Sequence, residues 1–491
     1  MKDNKDESGY RTILKGTAIF GGVQVFNIVI NLIRGKLVAL FLGPEGMGIF
    51  FLLTSSSNTI QQFSSLGLNL SIVREVSQAS GNKESNYLSR LIVIVRRLLY
   101  CSATIGAIIT VIFSSELSKW AFGNIEYRWH FICLSIVVFF TTLSNGELSI
   151  LQGVKFLKRI AFASIVGAFV GLFIGVPLYY FYRYDGIVPS MIILSIVVFV
   201  FYRYHSSKIS VSTVVVSWFG MLPLVRKMVS LGMVMMIATL LGTLSNYLLN
   251  AYISNYGSIE DVGLYQAANS ITNQYVGLVF TAMSLDFFPR LSAICSDNNK
   301  VRMLVNQQSE VVLLIVAPLV LLLIVTSPLV IRLLLTKSFI SLIPVIRWFS
   351  LGLFFKAIAF PMSYISFSKG DRKTFFWLEG VASIYVLGLN VMFYHFWGVE
   401  GIAISFCLLS FFSCFLYSIV TRKLYNFYHD STFLRLVVIV SLFIFSTFLF
   451  SYVSNSMISY LGMVLLLIVC TLFCLRKLSI KTGFFRRKFN R

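Results

Sequence analysis

The feature that most constrains this chain is a recurrence of apolar stretches about as long as a lipid bilayer is thick. A hydrocarbon core of about 30 Å is crossed by about 20 mainly apolar residues of helix. Such stretches lie near residues 13–33, 46–68, 98–115, 129–150, 161–182 and 187–202. Six more lie near 231–252, 263–287, 310–331, 344–366, 375–396 and 400–420, and a last pair near 433–453 and 458–475. Backbone polar groups inside lipid must bond to one another, which a helix accomplishes within a single segment. The expectation is therefore an all-α polytopic membrane protein of about 14 transmembrane helices. Composition closes off the soluble alternative. Hydrophobic residues are 57% and charged residues 12% of the 491, where soluble domains carry about 45–50% and about 25%.

A formal net charge of +22 would suggest nucleic acid in a soluble protein. Here the basic residues report orientation instead. With the N-terminus inside, and with Lys15, Arg347 and Arg435 at span edges counted with the adjoining loops, 32 of the 41 Lys and Arg fall in cytoplasmic segments, 8 in outside loops, and Lys356 in a span. Short cytoplasmic loops collect cations, so both termini are expected in the cytoplasm. The basic tail Arg476–Arg491 adds attraction to anionic lipid, and no nucleic-acid partner is expected. Met1–Lys15 is mixed in sign and is followed by no small-residue cleavage site, so the first apolar stretch reads as a span. The seven cysteines match no zinc or haem spacing and read as small core residues.

Set against itself at an offset of 215 residues, the chain repeats polar and glycine positions. Asn31 meets Asn246, Glu45 meets Glu260, Gly48 meets Gly263, Ser55 meets Ser270, Asn58 meets Asn273, Lys158 meets Lys373 and Gly186 meets Gly401. Six helices is an even number, so the halves share one topology, as parallel repeats do in transporters. The expected organisation is an N-lobe of helices 1–6 (1–215) and a C-lobe of helices 7–12 (216–425). Helices 13–14 and a basic tail (426–491) follow, and the loop Tyr202–Ser230 joins the lobes. No outside loop exceeds about 16 residues, too few for a catalytic domain. There is no Walker motif, no H-E-x-x-H, and the four histidines (His130, His205, His395, His429) are scattered. No cofactor, metal or enzymatic activity is expected.

Four stretches stand out: KLVALFLGPEGMG at Lys36–Gly48, VGLYQAANSITNQY opening Val262–Arg290, LLLTKSF from Leu333, and GLFFKAIAFPMSYISFSKGDRKTFFWLE at Gly352–Glu379. Together they resemble Wzx-type O-antigen translocases. The resemblance covers residues 10–425. The family often has an acid where this chain has Leu353, and often twelve spans, so the last pair is a departure. That family belongs to the multidrug/oligosaccharidyl-lipid/polysaccharide (MOP) superfamily, with the lipid II flippase and MATE exporters. The resemblance implies a flippase moving undecaprenyl-diphosphate-linked oligosaccharide to the outer leaflet of the cytoplasmic membrane by alternating access. It implies as partners the lipid-linked glycan, membrane lipids, and the polymerase and chain-length proteins of the same pathway. The alternatives are a MATE-like drug exporter of the same fold and, from another class, an O-antigen polymerase or ligase.

A diphosphate crossing a bilayer needs cations on the walls it passes. Lys356 lies near the middle of its span, where a charge costs about 2.5–3.5 kcal/mol and marks a cavity or an ion pair. Gly352, Pro361 and Ser363 fall near its side of the helix, with Phe354 and Phe355 turned toward lipid or other helices. Arg74 and Arg290 sit at inner helix ends, as an admitting ring or as ordinary positive-inside residues. Arg34 and Lys36 stand at an outer end, where cations are disfavoured. Asp286, Glu379, Glu147 and Glu310 lie in or beside spans as candidates for ion coupling.

Overall fold

The computed structural model describes residues 3–81, 85–154, 156–209, 218–375, 377–378, 381–453 and 456–482. Among them the secondary structure is helical. In chain order the helices are α1 (Asp3–Ser64), α2 (Leu68–Gly81), α3 (Ser85–Ile112), α4 (Ser114–Phe122), α5 (Arg128–Gly153), α6 (Leu157–Phe173), α7 (Gly175–Tyr182), α8 (Ile187–Ser207) and α9 (Trp218–Tyr256). They continue as α10 (Ile259–Tyr275), α11 (Gly277–Ala293), α12 (Asn298–Leu334), α13 (Leu342–Ser368), α14 (Arg372–Phe375), α15 (Val381–Tyr425), α16 (Ser431–Phe450) and α17 (Ser456–Thr482). The chain divides into two compact units, Met1–Gly263 and Leu264–Arg491.

Nine helical runs among the described residues are long and apolar enough to cross a membrane. Three of them each hold two of the apolar stretches. In α1 the division is a break at Gly43 (φ 67, ψ −170), followed by Pro44. Proline lacks the N–H that a first helical turn leaves unused, so it opens the second half without cost. The run Arg159–Ser207 turns at Arg183–Gly186, and α15 turns at Trp397–Gly398. The stretches near 231–252 and 263–287 correspond to α9 and to α10 with α11.

Two of these turns share one geometry at the 215-residue spacing. Arg183 has φ 48 and ψ −122, and Gly398 has φ 56 and ψ −143. Three residues on, a Cβ on Gly186 would collide with the Leu178 carbonyl, and one on Gly401 with the Phe393 carbonyl. A second glycine pair lies within the first unit. A Cβ on Gly48 would strike the Ile259 carbonyl, and one on Gly263 the Pro44 carbonyl. Ile259 stands 215 residues after Pro44 and Gly263 stands 215 after Gly48, so the two contacts join positions that match in the repeat.

In the first unit α3, α5 and α2 share a core of Leu91, Val95, Leu99, Ile72, Val76, Leu143 and Ile150. In the second unit α12 and α13 form the centre, with Val312, Ala317, Ile324 and Phe354 fully buried. The C-terminal pair packs onto that centre through Phe433, Val440 and Ile444 of α16 and Cys470 and Cys474 of α17. All seven cysteines are unbonded thiols. The stretch expected as the loop Tyr202–Ser230 is helical over most of its length, at the end of α8 and the start of α9, with 210–217 outside the described residues. Apolar length marks only the lipid-crossing part of a helix, and these helices run on past it.

Candidate functional site

The second half of α1 carries a polar run, Ser55–Gln62, inside an otherwise apolar helix. Residues three or four apart share a helix face, so Ser55, Asn58 and Gln62 form one stripe, with Gln61 beside it. This stripe walls a cavity of about 490 Å³, closed from the other side by Gly242, Thr243 and Asn246 of α9. The floor at Gly242 is open: a Cβ there would have nothing within 4 Å. Asn246 accepts a hydrogen bond at its Oδ1 from Asn250 Nδ2 at 3.2 Å, and Asn250 is fully buried.

On another face of α1 lies a second cavity of about 380 Å³. Arg34, Phe50, Thr54, Ser57 and Asn58 line it from α1; α5 adds Thr141, Ser144 and Asn145, and α8 adds Ser195 and Tyr202. Asn58 borders both cavities. The half-buried Arg34 guanidinium lies 5.7 Å from the Phe50 ring centroid. It also lies against Gly171 of α6, where a Cβ would come within 3.2 Å of its nitrogen. The cavity wall thus presents a planar cation near an aromatic ring and beside a glycine.

The other predicted cations sit elsewhere. Lys36, two residues on, is exposed and lines neither cavity. Arg74 is exposed on α2, and Arg290 is exposed in the last turn of α11. Lys356 is the exposed residue in a buried stretch of α13: Leu351–Phe355 and Ala357 are all buried. Its Nζ stands 5.7 Å from the Phe280 ring centroid. Phe354 and Phe355 turn into the helix core, as expected. Gly352 does not belong to an open side. It packs under the Phe406 ring and the Cys407 backbone of α15, so its smallness serves helix contact.

Of the candidate acids, Glu147 is the one the structure defines fully. It is 3% exposed on α5 and receives two hydrogen bonds from Arg96 of α3, at 3.0 and 3.3 Å. Arg203 of α8 donates to it at 2.8 Å, and the Ser206 hydroxyl donates to its second oxygen. Both oxygens are taken, and three helices are tied at one point. Glu310 is buried on α12, one turn beyond Asn306. Asp286 falls in α11 with its side chain outside the described residues, and Glu379 lies outside them altogether.

Sequence reasoning passed over the amides and hydroxyls that line the cavities, and over Arg96 and Arg203. A signal for the first was present, since Ser55, Asn58 and Asn246 are among the positions repeated at 215 residues. Polar residues kept at matching points of two apolar halves mark a wall rather than a packing face. For the arginines there was none, because a cation beside an apolar stretch looks the same in sequence whether paired or solvated.

A further cluster pins the connection between α15 and α16. Arg302 of α12 bonds Asp430 at 2.8 Å, with its guanidinium carbon 3.3 Å from the Tyr428 ring centroid. Asn306 accepts from the Asp430 N–H at 3.1 Å and donates to the Tyr428 carbonyl at 3.2 Å. His429 lies between the Phe427 and Phe433 rings, and burial pushes its pKa down from 6.5 to about 4, against a smaller opposing pull from Asp430.

Residues 37–344 match the family described as polysaccharide biosynthesis protein. The chain belongs to that family. Its membership takes in α1 from beyond Arg34 through the start of α13, including the walls of both cavities other than Arg34 itself. Among curated relatives, the lipid III flippases of Escherichia coli (strain K12) and Shigella flexneri are each 21% identical over 355 residues, 71% of this chain and 83% of theirs. Among solved structures, the lipid II flippase MurJ in an inward closed conformation aligns with a TM-score of 0.72 at 18% identity, covering 96% of this chain and all of MurJ. An inward-facing MATE multidrug-resistance transporter of the MOP superfamily aligns with a TM-score of 0.67 at 15% identity, covering 81% of this chain and 94% of that one. This member of the polysaccharide biosynthesis family therefore has the all-helical fold of the MOP transporters. The named relatives are flippases and transporters rather than enzymes.

Proposed function

We propose that this protein is a flippase for a lipid-linked oligosaccharide, carrying the glycan head from the inner to the outer leaflet of the bacterial cytoplasmic membrane. Its substrate is an undecaprenyl-diphosphate-linked repeat unit of O-antigen or a related surface polysaccharide. The observation that carries the reading is the Arg34 cavity, together with family membership. A guanidinium bonds two phosphate oxygens at once through its planar fork, and here it lines a cavity in which hydroxyls and the amides of Asn58 and Asn145 stand among apolar side chains such as Val137, Leu148 and Leu194. Arg74 and Arg290 admit the diphosphate, Lys36 and Lys356 extend its cationic path, and Asp286, Glu310 or Glu379 couples the cycle to an ion. The two six-helix lobes alternate access to the two sides, both termini lie in the cytoplasm, and a polymerase with its chain-length partner receives the product. The bias of 32 basic residues against 8 supports that orientation.

The test is a flipping assay in proteoliposomes with a nitrobenzoxadiazole-labelled undecaprenyl-diphosphate disaccharide, using dithionite to quench the outer leaflet. The protein is expected to render the inner pool quenchable, and Arg34→Ala to slow this about tenfold or more, the loss of one charge-assisted hydrogen bond or two. Quenching that stops at the level of protein-free vesicles overturns the proposal. Proton-driven ethidium efflux from the same vesicles would then assign the protein to the drug exporters.

A further inference from the structure

The larger cavity differs from its neighbour in the chemistry of its lining. Four carboxamides (Asn58, Gln61, Gln62 and Asn246) and two hydroxyls (Ser55 and Thr243) face it, and among the described residues no charged or aliphatic side chain lines it. A carboxamide offers two donors and an acceptor, and a hydroxyl one donor and two lone pairs. A surface of this kind matches a ligand that is dense in groups both donating and accepting, and that carries no charge. Its volume of about 490 Å³ lies within the range of about 300–1,000 Å³ typical of small-molecule sites.

We propose that this cavity is a sugar-binding subsite, in which the amides of α1 and α9 bond the hydroxyl and acetamido groups of a pyranose ring. The inference rests on the flippase reading and adds to it a division of labour between two compartments. Arg34 serves the diphosphate in the smaller one, and the amides serve the first sugar in the larger. Asn58 borders both, and in a lipid-linked glycan the first sugar is joined directly to the diphosphate. Adjacent ligand groups thus meet adjacent compartments. Two features show that the wall is built. The buried Asn250 donates to Asn246 Oδ1 and so fixes which way that amide turns. Gly242 leaves open space where any side chain would intrude, which lets a ring approach the α9 backbone.

The experiment compares two probes on the full-length protein in lipid nanodiscs. One is undecaprenyl diphosphate, and the other is undecaprenyl diphosphate bearing a single N-acetylglucosamine. Wild-type protein is expected to bind the sugar-bearing lipid about tenfold more tightly, the effect of one or two added net hydrogen bonds. Gly242→Leu, which fills the cavity, and Asn246→Leu, which removes an amide, should each abolish that preference. Both should leave the affinity for undecaprenyl diphosphate within about twofold of wild type. Arg34→Ala should weaken both lipids equally and keep the preference. Absence of a preference in wild type, or equal loss of both lipids in the Gly242→Leu and Asn246→Leu proteins, overturns the subsite while leaving the flippase reading standing. Failure of wild type to bind either lipid overturns the flippase reading, and the subsite with it.

Discussion

At the scale of single residues, charge in this protein does two different jobs. Glu147 sits under two arginines and a serine hydroxyl, so its removal leaves two guanidinium groups facing one another beside a buried core. Breaking a buried pair by deleting one partner costs about 3–5 kcal/mol. Glu147→Ala should therefore lower the unfolding temperature in detergent sharply, with Glu147→Gln intermediate because Ser206 still finds an acceptor. A Glu147→Gln protein as stable as wild type but unable to transport would give the acid a role in coupling instead. Lys356 is the contrasting case, exposed amid buried neighbours on α13. Lys356→Arg should retain part of glycan export and Lys356→Glu should abolish it at equal protein levels, read by surface polysaccharide in cells lacking other flippases. Full export by Lys356→Ala would make the residue incidental. His429 brings a dependence on pH. In an unfolded segment it titrates at 6.5, but in its place near α12 only at about 4. A histidine held neutral by burial favours the docked loop fully above 6.5, and that preference drains away as pH falls from 6.5 toward 4. The protection of the amides at residues 426–430, taken relative to the intrinsic exchange rate at each pH, should fall across that window in wild type and stay flat in His429→Phe.

Among the helical elements, the turns carry the most specific expectations. Arg183 occupies a backbone region that glycine visits freely, and at the matching turn the chain does use glycine, Gly398. A residue held at such angles stores about 1–3 kcal/mol, so Arg183→Gly should raise the thermal midpoint and Gly398→Ala should lower it. Glycines that touch a carbonyl differ from those beside open space. Gly48→Ala should destabilise because Ile259 must move, whereas Gly242→Ala should leave stability unchanged, both read by thermal unfolding of the purified protein. The helices themselves were plain in the sequence, since a run of apolar residues leaves lipid-spanning helix as its only outcome. The breaks at Gly43–Pro44 and Arg183–Gly186 were visible as interruptions, though not the angles they adopt. What the sequence left out was direction. The stripe Ser55–Asn58–Gln62 reads as polar residues on a helix, and only the position of α9 turns it into a cavity wall. Glu147 stood out as an acid beside lipid, but its partners come from residues 51 and 56 positions away, a distance no local pattern spans.

For the molecule as a whole, the basic residues predict a topology that reporter fusions can check. Fusions after Lys208 and after Arg491 should report cytoplasm, and one at Ser258 the outside; an outside location at 208 would overturn the helix count. The Glu147 node adds a constraint on how such a chain is made. Membrane helices emerge from the ribosome in order, N-terminal segments first. Arg96 is already in place when Glu147 arrives, so the acid finds a counter-ion waiting and inserts as half of a pair. Arg203 follows 56 residues later and closes the cluster. Reversing the charges, with acids at 96 and 203 and an arginine at 147, would give the finished protein a similar set of contacts. With both termini inside, as proposed, it would also remove from the N-terminal half of α3 a basic residue that helps to hold that end in the cytoplasm. In that orientation the order of synthesis, as well as the folded structure, favours arginine at 96.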